Sequence, residues 1–578
     1  MPEVDTRYKQ WTVAEVDDRA VDTLSHELGI SPLVASVLLS RGISDPLQAS
    51  AYLNPSLQDL HSPSLLPDFD PAVGEILGAK ESGKRVFVHG DYDADGVTSA
   101  ALFTRFLRRL GCDVVPHVPH RTREGYGIHL DAVKMAAEAG CKLFLTCDCG
   151  ISAHEQVAAA NSAGMRVVVT DHHEVGETLP PAAAVVNPHR RDSQYPFKHL
   201  SGVGVVFKLC QGITQELKID ESRFFRAYLD LAALGTIADV MPLIDENRII
   251  ASHGLTSIKH SKKPGLRSLL RVCELDDPSR KITARNVGFQ IAPRINAAGR
   301  MADSRLALDL LLEDDPEKAD VIAELLDETN RQRRVEQAHA YDEAVELVEQ
   351  THSPSDRAIV VSREGWHPGL IGIVAGKLAE QYYRPTFVVT IDENGHARGS
   401  ARSIPGFNLG AAIDAARPHL SSGGGHEQAA GFSLEASKLE GFALAMKSYA
   451  NSVLTDDDLV PRIEIDAIID PSEASNPRVV EELAALAPFG QGNPEPTFGC
   501  LGLTTSNIAP TSNPAHVRLS LIDTSGTPHK AMAFGIGEGL SALGNGAKID
   551  IVFRPDENVF RGKAEFRWLI DDYRPSGN

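Results

Sequence analysis

Cysteine is scarce in this 578-residue chain: Cys112, Cys141, Cys147, Cys149, Cys210, Cys273 and Cys500, with no two spaced as CxxC. An odd count without that spacing excludes a disulfide framework and a zinc knuckle. Cys147 and Cys149, which flank Asp148, read as small strand-end residues rather than thiolate ligands. No stretch approaches the roughly 18 uninterrupted apolar residues that span a bilayer, and the opening MPEVDTRYKQW has neither the basic start nor the apolar run of a secretory signal. A cytoplasmic protein without membrane contact is expected. Basic residues are also in deficit, 57 Lys plus Arg against 78 Asp plus Glu, or −21 with His neutral. That balance excludes a protein that coats duplex DNA by bulk electrostatics, because phosphate binding draws on clustered Lys and Arg. It leaves room for a local basic groove, or for carboxylates that hold metal cations.

What is present is an ordinary globular composition, 42% hydrophobic, long enough for three or four domains. Residues 1–75 read as a preamble of short amphipathic helices with Pro-punctuated connections. From Arg85, short apolar runs (RVFVHGD, DVVPHVPH, KLFLTCDCG, RVVVTDHHE and AAVVNP) alternate with helical stretches, the pattern of βαβ units and a parallel sheet, here placed at 76–314. After the first turn at Gly96, Phe103, Phe106, Leu107 and Leu110 form one buried helical stripe. Asp315 and Pro316 start a helix that neither Gly nor Pro interrupts until about Gln350; at 1.5 Å per residue it spans on the order of 50 Å and reads as a rigid connector, 315–352. A second α/β region follows at 353–456, ending in SSGGGHEQAAGFSL and a helix to about Leu454. Residues 457–578 carry short strands separated by turns (RIEIDAIID, VRLSLID, KAMAFGI, KIDIVFR, AEFRWLID) and suggest a small barrel or sandwich.

Chemistry concentrates in four clusters expected at the carboxyl ends of parallel strands, where open α/β sheets bind ligands. They are His89-Gly-Asp91-Tyr-Asp93-Ala-Asp95-Gly96, Cys147-Asp148-Cys149-Gly150, Asp171-His172-His173, and Gly235-Thr-Ile-Ala-Asp239. Any one Asp would be an ordinary turn residue or helix cap. Four clusters on one sheet edge repel strongly unless cations neutralise them. Carboxylates with a few imidazoles and no thiolate favour Mn²⁺ or Mg²⁺, with the histidines tipping the choice to Mn²⁺. Two such ions about 3.5 to 4 Å apart are the usual apparatus of in-line attack at phosphorus, so phosphoester hydrolysis is the leading chemistry. In the second α/β region, GGGHEQAAG reads as a glycine-rich turn near a phosphate, and Ser400 and Arg402 share one face of HARGSARS, either as a phosphate pocket or as a solvated edge strand. Tyr126, with Arg121 and Arg123 upstream, offers a ring on which a base could stack.

HGDYDADG, DCG, DHH, GTIADVMPL, the late GGGH and PFGQGNPEP together resemble the RecJ-type single-strand-specific exonucleases of the DHH phosphoesterase superfamily, in the family's order from about Lys84 to near the carboxyl terminus. The resemblance implies a parallel-sheet DHH domain, a long helix, a DHH-associated α/β domain and a C-terminal OB-fold that grips the strand. It implies two divalent cations, Mn²⁺ or Mg²⁺, held by His89, Asp93, Asp95, Asp148, His172 and Asp239, with Asp148 bridging. Asp91 and Asp171 would stand behind the ligands, and His173 would contact the scissile phosphate. Ser400, Arg402 and Arg121 would receive a 5′ phosphate, while Gly424, Gly425 and His426 would line the substrate groove with Tyr126. The implied activity is 5′ to 3′ digestion of single-stranded DNA to 5′ mononucleotides in repair and recombination. The chain would act as a monomer alongside a single-strand-binding protein and a helicase. Two other readings are a phosphoesterase for short oligonucleotides or nucleoside bisphosphates, which needs no strand-gripping barrel, and a silent nucleic-acid clamp, which the filled ligand positions disfavour.

Overall fold

The computed structural model describes residues 9–120, 125, 127–353, 355–560 and 563–577. The chain divides into two units, one of residues 55–336 with 488–494, the other of the described parts of 1–54, 337–487 and 495–578.

The first unit is built on a five-stranded, wholly parallel sheet in the order Val114–His117, Val86–Gly90, Leu143–Cys147, Arg166–Thr170, Ala184–Val186. These are the five apolar runs expected from the sequence. Val86, Val88, Leu143 and Leu145 enter one core, and Phe87, Phe144, Val167 and Val169 enter another on the opposite face. Burial on both faces is why the runs are continuous rather than alternating. On the helix Ala94–Arg109, Phe103, Phe106 and Leu107 are buried and Leu110 is partly buried against the same core; Gly96 lies in the first turn of the helix itself. The chain starts at the strand Val86–Gly90, passes to one side, then crosses to Leu143–Cys147 on the other. That reversal opens a crevice at the carboxyl ends of these two strands.

The helix Pro316–Thr351 runs for 36 residues. Its start is capped by Asp315, whose carboxylate accepts the N–H groups of Glu317 (2.9 Å) and Lys318 (3.3 Å). Ala319, Ala323 and Leu326 belong to the core of the first unit, and Ala340, Ala344 and Val348 to a core of the second.

In the second unit a five-stranded sheet has the order Ser422–Gly425, Ala429–Glu435, His396–Arg402, Thr386–Ile391, Ile359–Glu364, and the last pair alone is parallel. The strand with Ser400 and Arg402 is central, not a solvated edge. The glycine-rich segment is likewise not a free turn: Gly423 to Gly425 lie in an extended edge strand, with Gly424 opposite Gly431 and Gly425 opposite Ala430.

The C-terminal strands close into a barrel, Phe498–Pro510, His516–Ile522, Pro528–Phe534, Lys563–Pro575 and Lys548–Phe560, the last pairing back with the first. Its core stacks Trp568 between His529 and Phe553, each ring centroid 4.5 Å away. The first barrel strand was absent from the sequence expectation, since Gly499, Gly502 and two register shifts interrupt its alternation. A second addition is Gln10–Val13, read as part of a helical preamble, which is a strand in parallel register with Arg462–Ile465.

Candidate metal centre

The first unit brings nine of the expected residues to the sheet's switch point. His89 ends the strand Val86–Gly90, and the turn after it is so tight that a Cβ on Gly96 would lie 2.4 Å from the backbone nitrogen of Asp91. Asp93 caps the following helix, accepting the N–H groups of Asp95 and Gly96 at 3.1 Å each. Asp95, inside the first turn, accepts the N–H groups of Gly202 (2.6 Å) and Val203 (2.8 Å) at the start of the helix Gly202–Glu216. Asp148 follows the strand Leu143–Cys147 with φ 61°, a left-handed conformation that Asp tolerates better than most residues and that turns its carboxylate into the cluster. A Cβ on Gly202 would meet the Asp148 Cβ at 2.4 Å, so only glycine leaves room for this packing.

Asp239 departs from expectation. It follows no strand; it terminates the helix Glu221–Ala238, and its carboxylate is 3.7 Å from His172 Nε2. His172 Nε2 also lies 3.0 Å from Asp148 Oδ1. Ligand atoms of Asp95, His172 and Asp239 fall within 4.8 Å of one another, as do those of Asp148, His172 and His173. Asp171 Oδ1 accepts His173 Nδ1 (2.7 Å) and the backbone N–H groups of His172 (2.8 Å) and His173 (3.1 Å), while Oδ2 accepts Ile151 N–H (2.9 Å).

The electrostatics follow from crowding in a dry site. Burial, then Asp93, raises the carboxyl of Asp95 to about 7. Burial with neighbouring carboxylates also pushes Asp91, Asp148 and Asp239 well above the usual range. Burial lowers His89 to about 3 and His172 to about 4, assisted by His117 and His173 respectively, which keeps both imidazoles neutral and able to ligate. Asp171 is the exception, because donated hydrogen bonds outweigh burial and hold it below the ordinary carboxylate value. Its His173 partner is raised in turn: burial opposes its charge, and the bond to Asp171 together with the charges of Asp171, Asp95 and Asp93 outweighs burial. Burial pushes the thiols of Cys147 and Cys149 well above their usual range.

These residues fit divalent cations. Asp148 Oδ1 and His89 Nδ1 are buried polar atoms without a hydrogen bond, which is costly unless something else binds them. The donors are oxygen and neutral imidazole, the set that suits Mn²⁺ and Mg²⁺.

Sequence reading missed the groups behind the ligands. Asn296 Oδ1 accepts Ala94 N–H (2.9 Å), Asn187 Nδ2 donates to the His173 carbonyl (2.9 Å), and His117 stacks on His89 with centroids 5.2 Å apart. The Gly202 and Val203 amides had no residue signal at all, being backbone. Ser400 and Arg402 lie in the second unit, with Arg402 Nη1 3.4 Å from Ser400 Oγ. Gly424, Gly425 and the exposed His426 are on the neighbouring hairpin, where His426 N–H donates to the Ala429 carbonyl (2.9 Å). Arg121 and Tyr126 are outside the described residues.

A parallel sheet with this carboxylate and histidine cluster at its switch point defines a metal-dependent hydrolase domain of the DHH type. The model of the DHH family, N-terminal domain, matches residues 85–236; the DHHA1 domain matches 355–452 and the RecJ OB domain 465–572. The chain is 36% identical over 565 residues to the single-stranded-DNA-specific exonuclease RecJ of Bacillus subtilis (strain 168), covering 97% of this chain and 70% of that protein. It is 34% identical over 580 residues to the RecJ of Escherichia coli (strain K12), with 97% and 98% covered. The crystal structure of RecJ in complex with Mn²⁺ from Thermus thermophilus superposes with a TM-score of 0.84 at 31% identity, covering 98% of this chain and 80% of that one. A Mg²⁺ complex from the same organism gives 0.79 at 29% identity, with 98% and 79% covered. The chain belongs to the RecJ family.

Proposed function

We propose that this protein is a single-strand-specific 5′ to 3′ exodeoxyribonuclease that releases 5′ mononucleotides and serves DNA repair and recombination. The observation that carries the reading is the convergence of Asp93, Asp95, Asp148, Asp239 and His172 on one crevice, with Asp148 among the other carboxylates and His89 at the end of the neighbouring strand. His89, Asp93 and Asp95 would hold one cation and His172 and Asp239 a second, with Asp148 shared. Two such ions, when bound, supply Lewis-acid stabilisation of the attacking and leaving oxygens at phosphorus. Asp171 keeps the proton on His173 Nδ1, because an ionised carboxylate can only accept. His173, half-exposed and more readily protonated than an ordinary histidine, is suited to donate to a phosphate oxygen.

Support for a 5′-phosphate pocket comes from the second unit. Ser400 and Arg402 share one face of a central strand, and Gly372, near the start of the helix Ile371–Tyr382, packs so close that a Cβ there would lie 3.0 Å from Ser400 Oγ and 3.3 Å from Arg402 Nη2. A helix N-terminus beside an Arg–Ser pair is a favourable anion site. The closed barrel argues against the small-substrate alternative, which has no use for it. No described helix is long and apolar enough to cross a membrane. A monomer working in the cytoplasm with a single-strand-binding protein and a helicase belongs to the same proposal and rests on the family alone.

The test uses end-labelled single strands, with and without a 5′ phosphate, in Mn²⁺ or Mg²⁺. Mononucleotides should appear first from the 5′ end, and Asp148→Ala should bind strands without cutting them. Internal fragments as first products, or normal turnover by that variant, would contradict the reading.

A further inference from the structure

The first unit carries a cavity of about 840 Å³ at the opposite end of the helix Ala94–Arg109 from the metal centre. Asp95 opens that helix and Arg109 ends it, a separation of about 20 Å at 1.5 Å per residue. Five arginines, two lysines and one histidine line the cavity against two carboxylates. In a chain of net charge −21 this is a strong local inversion.

Both carboxylates are already engaged. Asp230 is buried and takes Lys263 Nζ at 2.8 Å on each oxygen, with Ser261 Oγ at 2.7 Å. Asp314 takes Arg105 Nη2 at 2.9 Å. Among the remaining cations Arg223 pairs with Asp220 at 4.0 Å and Arg226 feels the same carboxylate from farther away, whereas Arg109 and Lys262 are exposed and make no ion pair with a described residue. At the floor, Tyr228 is 4% exposed and its hydroxyl makes no hydrogen bond to a described residue.

Ordinary helix electrostatics accounts for part of this arrangement. Arg108 and Arg109 are in the last turn of their helix, where the dipole favours positive charge. It does not account for the rest. Arg223 is in the first turn of the helix Glu221–Ala238, and Lys262 and Lys263 immediately precede the helix Pro264–Val272. Cations at helix N-termini oppose the dipole; Asp220 and Asp230 offset this for Arg223 and Lys263, and Lys262 has no such partner among the described residues.

The shape separates the candidate ligands. A track for a single strand lines up cations with exposed aromatic rings between them. Here the cations converge from three helix ends on one concavity, and its aromatic ring, Tyr228, is buried. The volume is that of a small-molecule pocket. We propose that this cavity binds a compact polyphosphate, a ligand with at least two adjoining phosphates, either as a nucleoside triphosphate or as an inorganic chain. Arg109 and Arg226 would grip the phosphates, with Lys262 completing the charge match. The inference does not depend on the assignment of the metal centre.

Titration calorimetry of the full chain, without added divalent cation so that no metal bridges a phosphate to the carboxylate cluster, takes sodium tripolyphosphate, ATP and AMP in turn. Tripolyphosphate or ATP should bind at least about tenfold more tightly than AMP, and Arg109→Gln with Arg226→Gln should weaken that binding by about tenfold or more. The double variant should keep its thermal stability and its Mn²⁺-dependent digestion of single strands. Equal binding of tripolyphosphate and ATP identifies the phosphate chain as the ligand, and binding of ATP alone adds the nucleoside; either supports the proposal. Absence of binding by wild type at millimolar ligand, or undiminished binding by the double variant, overturns it. So does a variant that loses affinity for an oligothymidylate while its tripolyphosphate affinity is unchanged, because the cations would then be a strand track.

Discussion

Asp171 Oδ1 accepts a 2.7 Å hydrogen bond from His173 Nδ1, and the same oxygen takes two backbone N–H groups of the His172–His173 pair. One buried atom therefore sets both the tautomer and the placement of His173. Asp171→Asn keeps the volume but loses the charge that holds the Nδ1 proton. Steady-state kinetics on single strands should show kcat falling by about 10- to 100-fold, the usual effect of removing such a supporting carboxylate, with a smaller change in KM.

The carboxylate cluster destabilises the chain whenever cations are absent. Asp148 is surrounded by like charges, so Asp148→Asn, which also tolerates its φ of 61°, should raise the melting temperature in EDTA. Saturating Mn²⁺ should reverse the order. At a hundredfold excess over Kd, binding to the native state adds about 2.7 kcal/mol to wild type and less to the variant. Differential scanning fluorimetry in EDTA and in Mn²⁺ reads both effects, and a variant less stable in EDTA than wild type would refute the repulsion.

Gly202 tests the packing of the same site. A methyl group there would sit 2.4 Å from Asp148 Cβ, in a helix whose Gly202 and Val203 amides hold Asp95. Gly202→Ala should lose about 1 to 3 kcal/mol of stability by overpacking, and with it Mn²⁺ affinity. Denaturant unfolding and a Mn²⁺ titration check the two losses separately.

A pH dependence belongs to the barrel. Asp523 accepts His529 Nε2 at 2.8 Å, Ser525 Oγ at 2.6 Å and the Ser525 and Thr527 N–H groups at 2.9 Å, and these bonds hold its carboxyl below the ordinary value. A depressed carboxyl stabilises the fold above its unfolded pKa of about 4 and loses that contribution as pH falls through the folded value. Asp523→Asn should therefore melt lower than wild type at neutral pH, with the gap closing on acidification below about pH 4. Thermal unfolding followed by tryptophan fluorescence, to which the His529–Trp568 stack contributes, gives the measurement.

Much of the site was legible because its chemistry rides on a strong pattern. Strands buried on both faces announce themselves as runs such as VFV and VVV, and the residues that follow such runs in a parallel sheet fall on one edge. Asp239 escaped the rule because a buried helix end, Leu234 to Ile237, reads as an apolar run much as a strand does. The hairpin at Gly423–Gly425 was hidden because glycine advertises turns, whereas here it permits the close approach of Ala430, whose Cβ would lie 2.5 Å from one on Gly425. Strand Gln10–Val13 carries no local sign of its partner, Arg462–Ile465, which lies in a distant part of the chain.

That pairing orders events during synthesis. The unit formed mostly by residues 55–336 is nearly continuous, so its metal-binding crevice can assemble while the remainder is still being translated. Gln10–Val13 leaves the ribosome long before that unit is finished, yet its hydrogen-bonding edge stays unmet until Arg462–Ile465 emerges. From its synthesis until Arg462–Ile465 emerges, Gln10–Val13 is an unclosed β-edge, a segment of the nascent chain exposed to mispairing.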